Sequence, residues 1–169
     1  MPRTIRPEPP ISTFRVRILG GYYAPRRATA VWREIEVAAN QTLADLGDAI
    51  PLAFDFDDHL WSFFLSGRAW DRTTEYAHQS AGGGPPSRSA GQIQIRDVPL
   101  PGATGKQEFL FLFDYGDEWH FGVKLRRVSA KVEPGAQYPR VLASHGEAPL
   151  QYPDAEDDWD DEDEDEDDA

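Results

Sequence analysis

Aspartate and histidine side chains are concentrated in two short stretches of this sequence. The two groups lie at 57–59 and 114–120: Asp57, Asp58, His59, Asp114, Asp117 and His120. Carboxylate and imidazole groups together can bind a divalent metal or perform general acid–base chemistry. We therefore take Asp117, His59 and His120 as a candidate metal site of an enzyme. Defined motifs such as HExxH and DxDxDG are absent, so the alternative is that these residues only shape turns beside strands.

Basic residues near an aromatic ring form a second candidate, a surface for single-stranded nucleic acid. The residues are Arg15, Arg17, Lys124, Arg126 and Arg127, with Trp32 as the stacking platform. Cations beside aromatic rings on an open sheet bind single strands in several modules. The alternative is that Arg15 and Arg17 form ion pairs with glutamates of a neighbouring strand, Glu34 and Glu36.

The charge distribution favours that alternative. The chain has 30 acidic and 17 basic residues, and 13 of the acidic ones lie within residues 154–169. The rest of the chain is therefore neutral, which argues against a surface for phosphates. We expect residues 154–169 to form a disordered acidic tail, because its like charges repel and few apolar groups oppose them. The tail could serve solubility, shield basic residues of the domain, or bind a basic partner through Trp159.

Other chemistry has weaker support in the sequence. His145 and Glu147 lie in the segment YPRVLASHGEAPLQYP, where a histidine could act as a base or a ligand. We expect this segment to be a surface loop that closes over the sheet. No GxSxG elbow surrounds a serine, and no phosphate-binding loop is present. Nucleophilic catalysis and nucleotide binding therefore have no basis here, and no cofactor is expected.

The elements that would position these residues begin with two alternating strands. Apolar residues of FRVRIL and AVWREIEV recur at every second position, which is typical of half-buried strands. Arg33 interrupts the inward-facing side, so we expect it near an end of the sheet. A helix follows, with Thr42 as its N-cap and Asp45 three residues on. Pro51 predicts a kink or a break in that helix.

The later chain predicts a third strand at 59–65 and a long aromatic hairpin, FLFLFDYGDEWHF. In the hairpin, Phe109, Phe111, Phe113 and Tyr115 should share one face, and Gly116 should supply the positive φ of the turn. Residues 79–91 predict a flexible loop without core potential, and QIQI predicts a short strand.

This order of elements predicts an α+β protein with a β-grasp-like mixed sheet and one main helix on one face. We expect a loose N-terminal arm at 1–11, one domain at 12–153, and the tail. The chain has no cysteine and no run of about 18 apolar residues, the minimum for a membrane span. The prediction is a soluble cytoplasmic protein without membrane contact.

Three blocks of the sequence resemble a known family. They are AVWREIEVAANQTLADLGDAIPLAFDFDDHLWSF, FLFLFDYGDEWHFGVKL and YPRVLASHGEAPLQYP. Together they resemble the plasmid pRiA-type ORF-three-like family, also known as TnpR-like passenger proteins of insertion elements, over residues 12–153. The resemblance implies no defined activity. Family members often carry a histidine where this chain has Phe121, and a cysteine-containing segment where it reads GEAPLQYP.

The predicted function is a non-catalytic protein-interaction module that binds through an exposed sheet edge or an aromatic patch. The candidate anchors are four tryptophans, and for the first three a core position is the equal alternative: Trp32, Trp61, Trp119 and Trp159. We expect a protein partner, a basic one if the tail takes part, and no nucleic acid. The metal-dependent enzyme and a DNA-associated protein of a mobile element stay open as alternatives, as does the oligomeric state.

Overall fold

The computed structural model of the chain describes residues 7–81 and 84–153. Within these residues the chain forms one α-helix and eight strands: β1 (Ile11–Gly20), β2 (Trp32–Ala38), α1 (Leu43–Ala53), β3 (Trp61–Phe64), β4 (Glu75–Ala77), β5 (Arg88–Ser89), β6 (Phe109–Phe113), β7 (Trp119–Ser129) and β8 (Arg140–His145). Short 3₁₀ turns lie between several of the strands. The predicted α+β class is confirmed.

A single sheet contains all eight strands of the described residues, in the order β5-β4-β3-β6-β7-β1-β2-β8. Neighbouring strands run antiparallel except for β4 and β5, which are parallel. The first strand β1 therefore lies between β2 and β7, and it pairs antiparallel with both. The two edges of the sheet are β5, of two residues, and β8, of six.

The core lies between the sheet and α1. The helix covers one side of the sheet, which we call the helix face and which carries Phe14, Ile35 and Phe111. The other side, which carries Arg15, Glu34 and Leu112, we call the open face. Aromatic rings fill much of the core, and the largest fully buried ones are these: Phe14, Phe54, Phe63, Phe109, Phe111, Phe113, Phe121, Trp61 and Trp119. Burying such rings supplies much of the driving force for folding.

Local signals set both ends of α1. Thr42 accepts a hydrogen bond from the Asp45 amide, and the Asp45 carboxylate accepts one from the Thr42 amide, a complete capping box. At the other end the Phe56 amide donates to the Pro51 carbonyl while Asp55 adopts φ 58°, which is a Schellman ending. The helix continues through Pro51 to Ala53, so the predicted break does not occur.

The turn between β6 and β7 differs from the prediction. Asp114 and Glu118 have the positive φ values, 63° and 47°, and Gly116 does not. The Asp114 carboxylate accepts hydrogen bonds from the amides of Gly116 and Asp117, and this local pairing makes aspartate suitable for the left-handed position. Because β6 ends at Phe113, Tyr115 reaches the open face rather than the predicted helix face. There it packs beside Phe64, Leu110 and Leu112.

Three further predictions are corrected. QIQI forms part of two 3₁₀ turns instead of a strand, although Gln94 bridges to Thr42. The predicted loop 79–91 contains β5 and the buried Ala90, which belongs to the core. The C-terminal segment around His145 is the edge strand β8 instead of a loop.

Strand β3 is shorter than the predicted 59–65, and β1 begins at Ile11, inside the predicted arm. The predicted tail at 154–169, including Trp159, and the first six residues of the arm lie outside the described residues. No helix within 7–81 and 84–153 is long and apolar enough to cross a membrane.

Candidate interaction surface

The predicted metal ligands do not meet in one place. His59 lies 3.6 Å from the Asp114 carboxylate and packs its ring against Phe113 of the core. His120 lies on the open face, opposite Leu112, and is 3.7 Å from Glu118. Asp117 lines a cavity of about 370 Å³ together with His120 but without His59. Among the described residues, no three histidine or acidic side chains form a group that could hold a metal ion.

Two of the four tryptophan anchors belong to the core. Trp61 and Trp119 have fully buried side chains, so neither can present a ring to a partner in the folded protein. Trp61, the first residue of β3, packs against α1, where its indole N–H donates to the Asp48 carboxylate. Trp119 packs its ring against Phe56. The assignment of these two residues as surface anchors is therefore wrong. Their alternation with other buried residues was the signal for core positions.

Trp32 is half-buried on the open face, where side chains from both neighbouring strands contact its ring. The Arg15 guanidinium from β1 lies 4.0 Å from the ring centroid. The His145 ring from β8 stacks on it with centroids 5.6 Å apart and planes within 16°. Glu34 accepts two hydrogen bonds from Arg15 and holds the guanidinium in place. The platform predicted for a stacked base is thus already in contact with the protein's own side chains.

The other predicted basic residues divide into paired and exposed ones. Arg17 donates two hydrogen bonds to Glu108, whose carboxylate lies across Gly122 of β7. Glu36, the partner predicted for Arg17, instead accepts a hydrogen bond from Arg140. The predicted pairing of Arg15 with Glu34 is confirmed. Three cations on β7 are exposed and have no salt bridge within the described part of the chain: Lys124, Arg126 and Arg127.

Strand β8 is an exposed edge with apolar side chains. Its inner side pairs with β2, and no other strand of residues 7–81 and 84–153 pairs with its outer side. Val141 and Leu142 are 47% and 40% exposed. Leu142 lies at the point where the register of the two strands shifts. An unpaired edge with exposed apolar residues is a template for another strand.

Ion pairs hold the start of β8 in place. Arg140 lies 2.7 Å from the Glu36 carboxylate and 2.6 Å from that of Glu133. These hydrogen bonds from two carboxylates raise the pKa of the Arg140 guanidinium, which remains charged at every accessible pH. The side-chain amide of Gln41 also donates, through its Nε2, to the Tyr138 carbonyl just before the strand. The edge is therefore presented by a fixed backbone.

The buried cation Arg33 anchors the other end of β8. Its guanidinium donates to the Ala53 carbonyl at the end of α1 and to the carbonyls of His145 and Gly146. The guanidinium also lies over the Phe54 ring at 5.0 Å. Burial lowers the pKa of Arg33, partly offset by nearby Asp55. A cation at a helix C-terminus is favoured by the helix dipole, which explains the arginine that interrupts the inward pattern.

His145 and Glu147 do not form a catalytic arrangement. The His145 ring is stacked on Trp32, and Glu147 is exposed in the segment after β8. Sequence reasoning missed the surface residues Val141 and Leu142, and also Trp70, which is exposed and donates its indole N–H to Glu118. The pair of apolar residues in RVLASH was the available signal for a strand.

The architecture defines a small α+β protein with one helix on one face of its sheet and a long exposed edge strand. The chain belongs to the family described as Plasmid pRiA4b ORF-3-like protein, whose model matches residues 25–159. The predicted family resemblance is thus confirmed.

A solved structure shares the fold. It is the crystal structure of a protein of unknown function, MM3350, from Methanosarcina mazei Go1. The two chains are 26% identical and superpose with a TM-score of 0.62, over 83% of this chain and 71% of the other. The chain has no match among curated proteins.

Proposed function

We propose that this protein is a non-catalytic interaction module that binds a protein partner along β8. One observation carries the proposal: β8 is a six-residue edge strand with an unpaired outer side among the described residues and with exposed Val141 and Leu142. An extended segment of a partner would add a strand to this edge. Backbone hydrogen bonds would supply affinity, and contacts with alternate side chains would supply specificity.

The rigid support of β8 favours this role. Arg140 holds the start of the strand, and Arg33 holds its end through the carbonyls of His145 and Gly146. A pre-ordered edge loses little conformational entropy when a second strand pairs with it. Trp32, stacked beneath His145, lies next to the edge and would contact the same partner.

The acidic segment at 154–169 favours a basic partner. Its 13 acidic residues attract cations over about 8–10 Å at physiological ionic strength, which speeds the encounter with a basic surface. Trp159 would add an apolar contact within that segment. This steering is separable from docking on β8, because salt screens the first much more than the second.

A β-grasp-like description is supported by an antiparallel β1–β2 pair followed by a helix that covers one face. A DNA-associated role is supported by the exposed cations Lys124, Arg126 and Arg127 on β7. No arrangement of described side chains favours the metal-dependent enzyme.

The test is a capture experiment with four forms of the protein as baits. They are the full chain, a chain ending at residue 153, the double variant Val141→Lys with Leu142→Lys, and the control Val128→Lys. Val128 is an exposed valine of β7, away from the outer edge of β8, so its change adds one positive charge, half of that in the double variant, without altering that edge. Lysines on an edge strand discourage pairing without affecting the core. A captured protein is identified, purified and titrated against each form at two salt concentrations.

The proposal expects a partner that binds the full chain and the Val128→Lys control equally. The double variant should weaken binding at least about tenfold, comparable to the loss of 1.4 kcal/mol of interface energy. Removal of the tail should slow association at low salt and leave dissociation unchanged. Equal binding by the double variant, or no specific partner for any form, would contradict docking on β8. Retention of DNA instead of protein would favour the mobile-element alternative.

A further inference from the structure

The opposite edge of the sheet contains two adjoining cavities. One has a volume of about 560 Å³ and is lined by Tyr76, Ser87, Arg88, Ser89, Gln92 and Ile93. The other has a volume of about 420 Å³ and is lined by Leu65, Ser66, Thr73, Thr74, Tyr76, Arg88, Pro99 and Pro101. Tyr76 of β4 and Arg88 of β5 border both cavities, so the two adjoin at these side chains, and we call them together the depression at the β4–β5 edge.

The chemistry of this depression is unusual for the chain. Among the residues that the structure describes, neither cavity has an acidic lining residue. The polar groups that line it are hydroxyls, one amide and one guanidinium. All of these can donate hydrogen bonds, and only the guanidinium is charged. A site with these groups has a positive charge and complements an anion.

Arg88 is fixed in position but not neutralised. Its guanidinium lies over the Tyr76 ring at 5.6 Å and donates to the Thr73 carbonyl at 3.2 Å. No carboxylate of the described residues lies within salt-bridge distance of it. An arginine held by a ring and a carbonyl retains further N–H groups that can bind an anion in bidentate geometry.

Ser87 provides an independent indication of a ligand. Its side-chain oxygen is buried and has no hydrogen-bond partner among the residues that the structure describes, and the residue itself lines the larger cavity. Buried hydroxyls in native proteins almost always have a partner. A rotation of the Ser87 side chain towards the cavity would let a ligand oxygen next to Arg88 accept the hydrogen bond that this hydroxyl can donate.

An acidic group lies next to the smaller cavity, in contact with two of its lining residues. The Asp71 carboxylate accepts hydrogen bonds from the side chains of Thr73 and Thr74. Hydrogen bonds from Thr73 and Ser66 lower the pKa of Asp71 to about 2, so it is charged at neutral pH. An anion is therefore favoured in the larger cavity, near Ser87, Ser89 and Gln92.

We propose that the larger cavity is a binding site for a small anion, a phosphate- or carboxylate-bearing molecule, held by Arg88 and Ser87. Arg88 supplies the charge and a bidentate pair of N–H groups. Ser87 supplies a buried hydroxyl, and Ser89 and Gln92 border the remaining space. The site lies at the β5 edge and does not depend on docking at β8.

The experiment is a titration of the full chain, followed by amide NMR shifts, with inorganic phosphate in one arm and succinate in the other. Two variants remove the proposed contacts, Arg88→Gln and Ser87→Ala. The control is Arg126→Gln, which removes an exposed arginine four strands away on β7. Thermal unfolding of each form shows whether it is folded, and Ser87→Ala, which loses only one hydroxyl, tests the site if Arg88→Gln is unstable.

We expect saturable amide shifts at Tyr76 and at residues 87–89 with at least one of the two anions. The titration that saturates shows whether the site prefers a phosphate or a carboxylate. Arg88→Gln should weaken binding about tenfold or more, as expected for a charge-assisted bidentate contact, and Ser87→Ala by a smaller factor. The control should bind as the unaltered chain does. Absence of saturable shifts with both anions, or equal weakening in Arg126→Gln, would overturn the proposal.

Discussion

The two edges of the sheet differ in length, in chemistry and in how the fold supports them. Strand β8 has six residues, exposes Val141 and Leu142, and is tied to α1 through the buried Arg33. Strand β5 has two residues and lies beside cavities lined by hydroxyls and Arg88. A long apolar edge suits an extended protein segment, whereas a short edge beside a cationic depression suits a small ligand. One sheet thus presents two kinds of surface.

The difference follows from what covers each edge. The 3₁₀ turns after β5 pack Ala90 into the core beside α1, and β5 itself offers an edge of only two residues. Beyond β8 no described element packs against the outer side, and only its two ends are fixed. The shortness of β5 disfavours strand addition at that edge, whereas the six residues of β8 offer a longer template.

The largest expected effect concerns the anchor of β8. Arg33→Met should lower the free energy of unfolding by roughly 3 kcal/mol or more, because the carbonyls of Ala53, His145 and Gly146 lose their donor and each unsatisfied buried acceptor costs about 1–3 kcal/mol. Urea unfolding measures the loss. The exposed Arg126→Met, as control, should change stability by less than about 0.5 kcal/mol. A loss in Arg33→Met no larger than in the control would show that β8 is not anchored through Arg33.

Hydrogen exchange on the same variant sharpens the comparison of the edges. Amides of β8 should lose more protection than those of β4, since Arg33 contacts only the β8 side of the sheet. Equal loss of protection at both edges would mean that the sheet opens as one unit and that the edges are not independent.

The second-largest expected effect on stability concerns the packing of α1 against β3, on the side of the sheet that leads to β5. Gly47 of α1 faces the Trp61 ring so closely that an added methyl group would overlap it. Trp61 is fully buried and cannot move aside, so Gly47→Ala should cost about 1–3 kcal/mol by overpacking. Urea unfolding is again the measurement. A neutral or stabilising result would contradict rigid packing of β3 against α1.

Gly122→Ala is the matched control for that overpacking and should have a smaller effect. There the added methyl group would meet the Glu108 carboxylate, the mobile end of a partly exposed side chain. Glu108 would move away and release Arg17, a surface pair that contributes about 0–1 kcal/mol. A cost as large as that of Gly47→Ala would show that the open face is packed as tightly as the helix face.

The smallest effect is a pH dependence at the β5 side. The pKa of Asp71 is lowered from 3.8 to about 2 by hydrogen bonds in the folded protein. Its stabilising contribution is present above pH 3.8 and is lost as the pH falls towards 2. Asp71→Asn should therefore lose less stability than the unaltered chain between those values. Identical losses, measured by urea midpoints at several pH values, would contradict the lowered pKa.

Sequence reasoning succeeded where the interactions are local. Alternation predicted β1 and β2, and Thr42 with Asp45 predicted the start of α1, because a capping box involves residues three positions apart. It failed at the turn after β6. The sequence predicted Gly116 as the residue with positive φ. In the turn between β6 and β7, the positive φ values belong to Asp114 and Glu118 instead.

Long-range placement accounts for the remaining differences. Three histidine and acidic residues looked like one cluster, but His59 and His120 contact separate carboxylates. The arginine pairs were only partly predictable, because Glu108, the partner of Arg17, is 91 residues away. The edge position of β8 depends on the order of all the strands in the sheet.

The sequence by itself determined the start of the helix, the alternating strands and the uneven charge of the chain, because each depends on neighbouring residues or on composition alone. Only the tertiary structure decided which tryptophans are core, which strand is the exposed edge, and which arginines are left without a carboxylate partner. Those properties depend on contacts between segments far apart in the chain, and local preferences contain little information about such contacts.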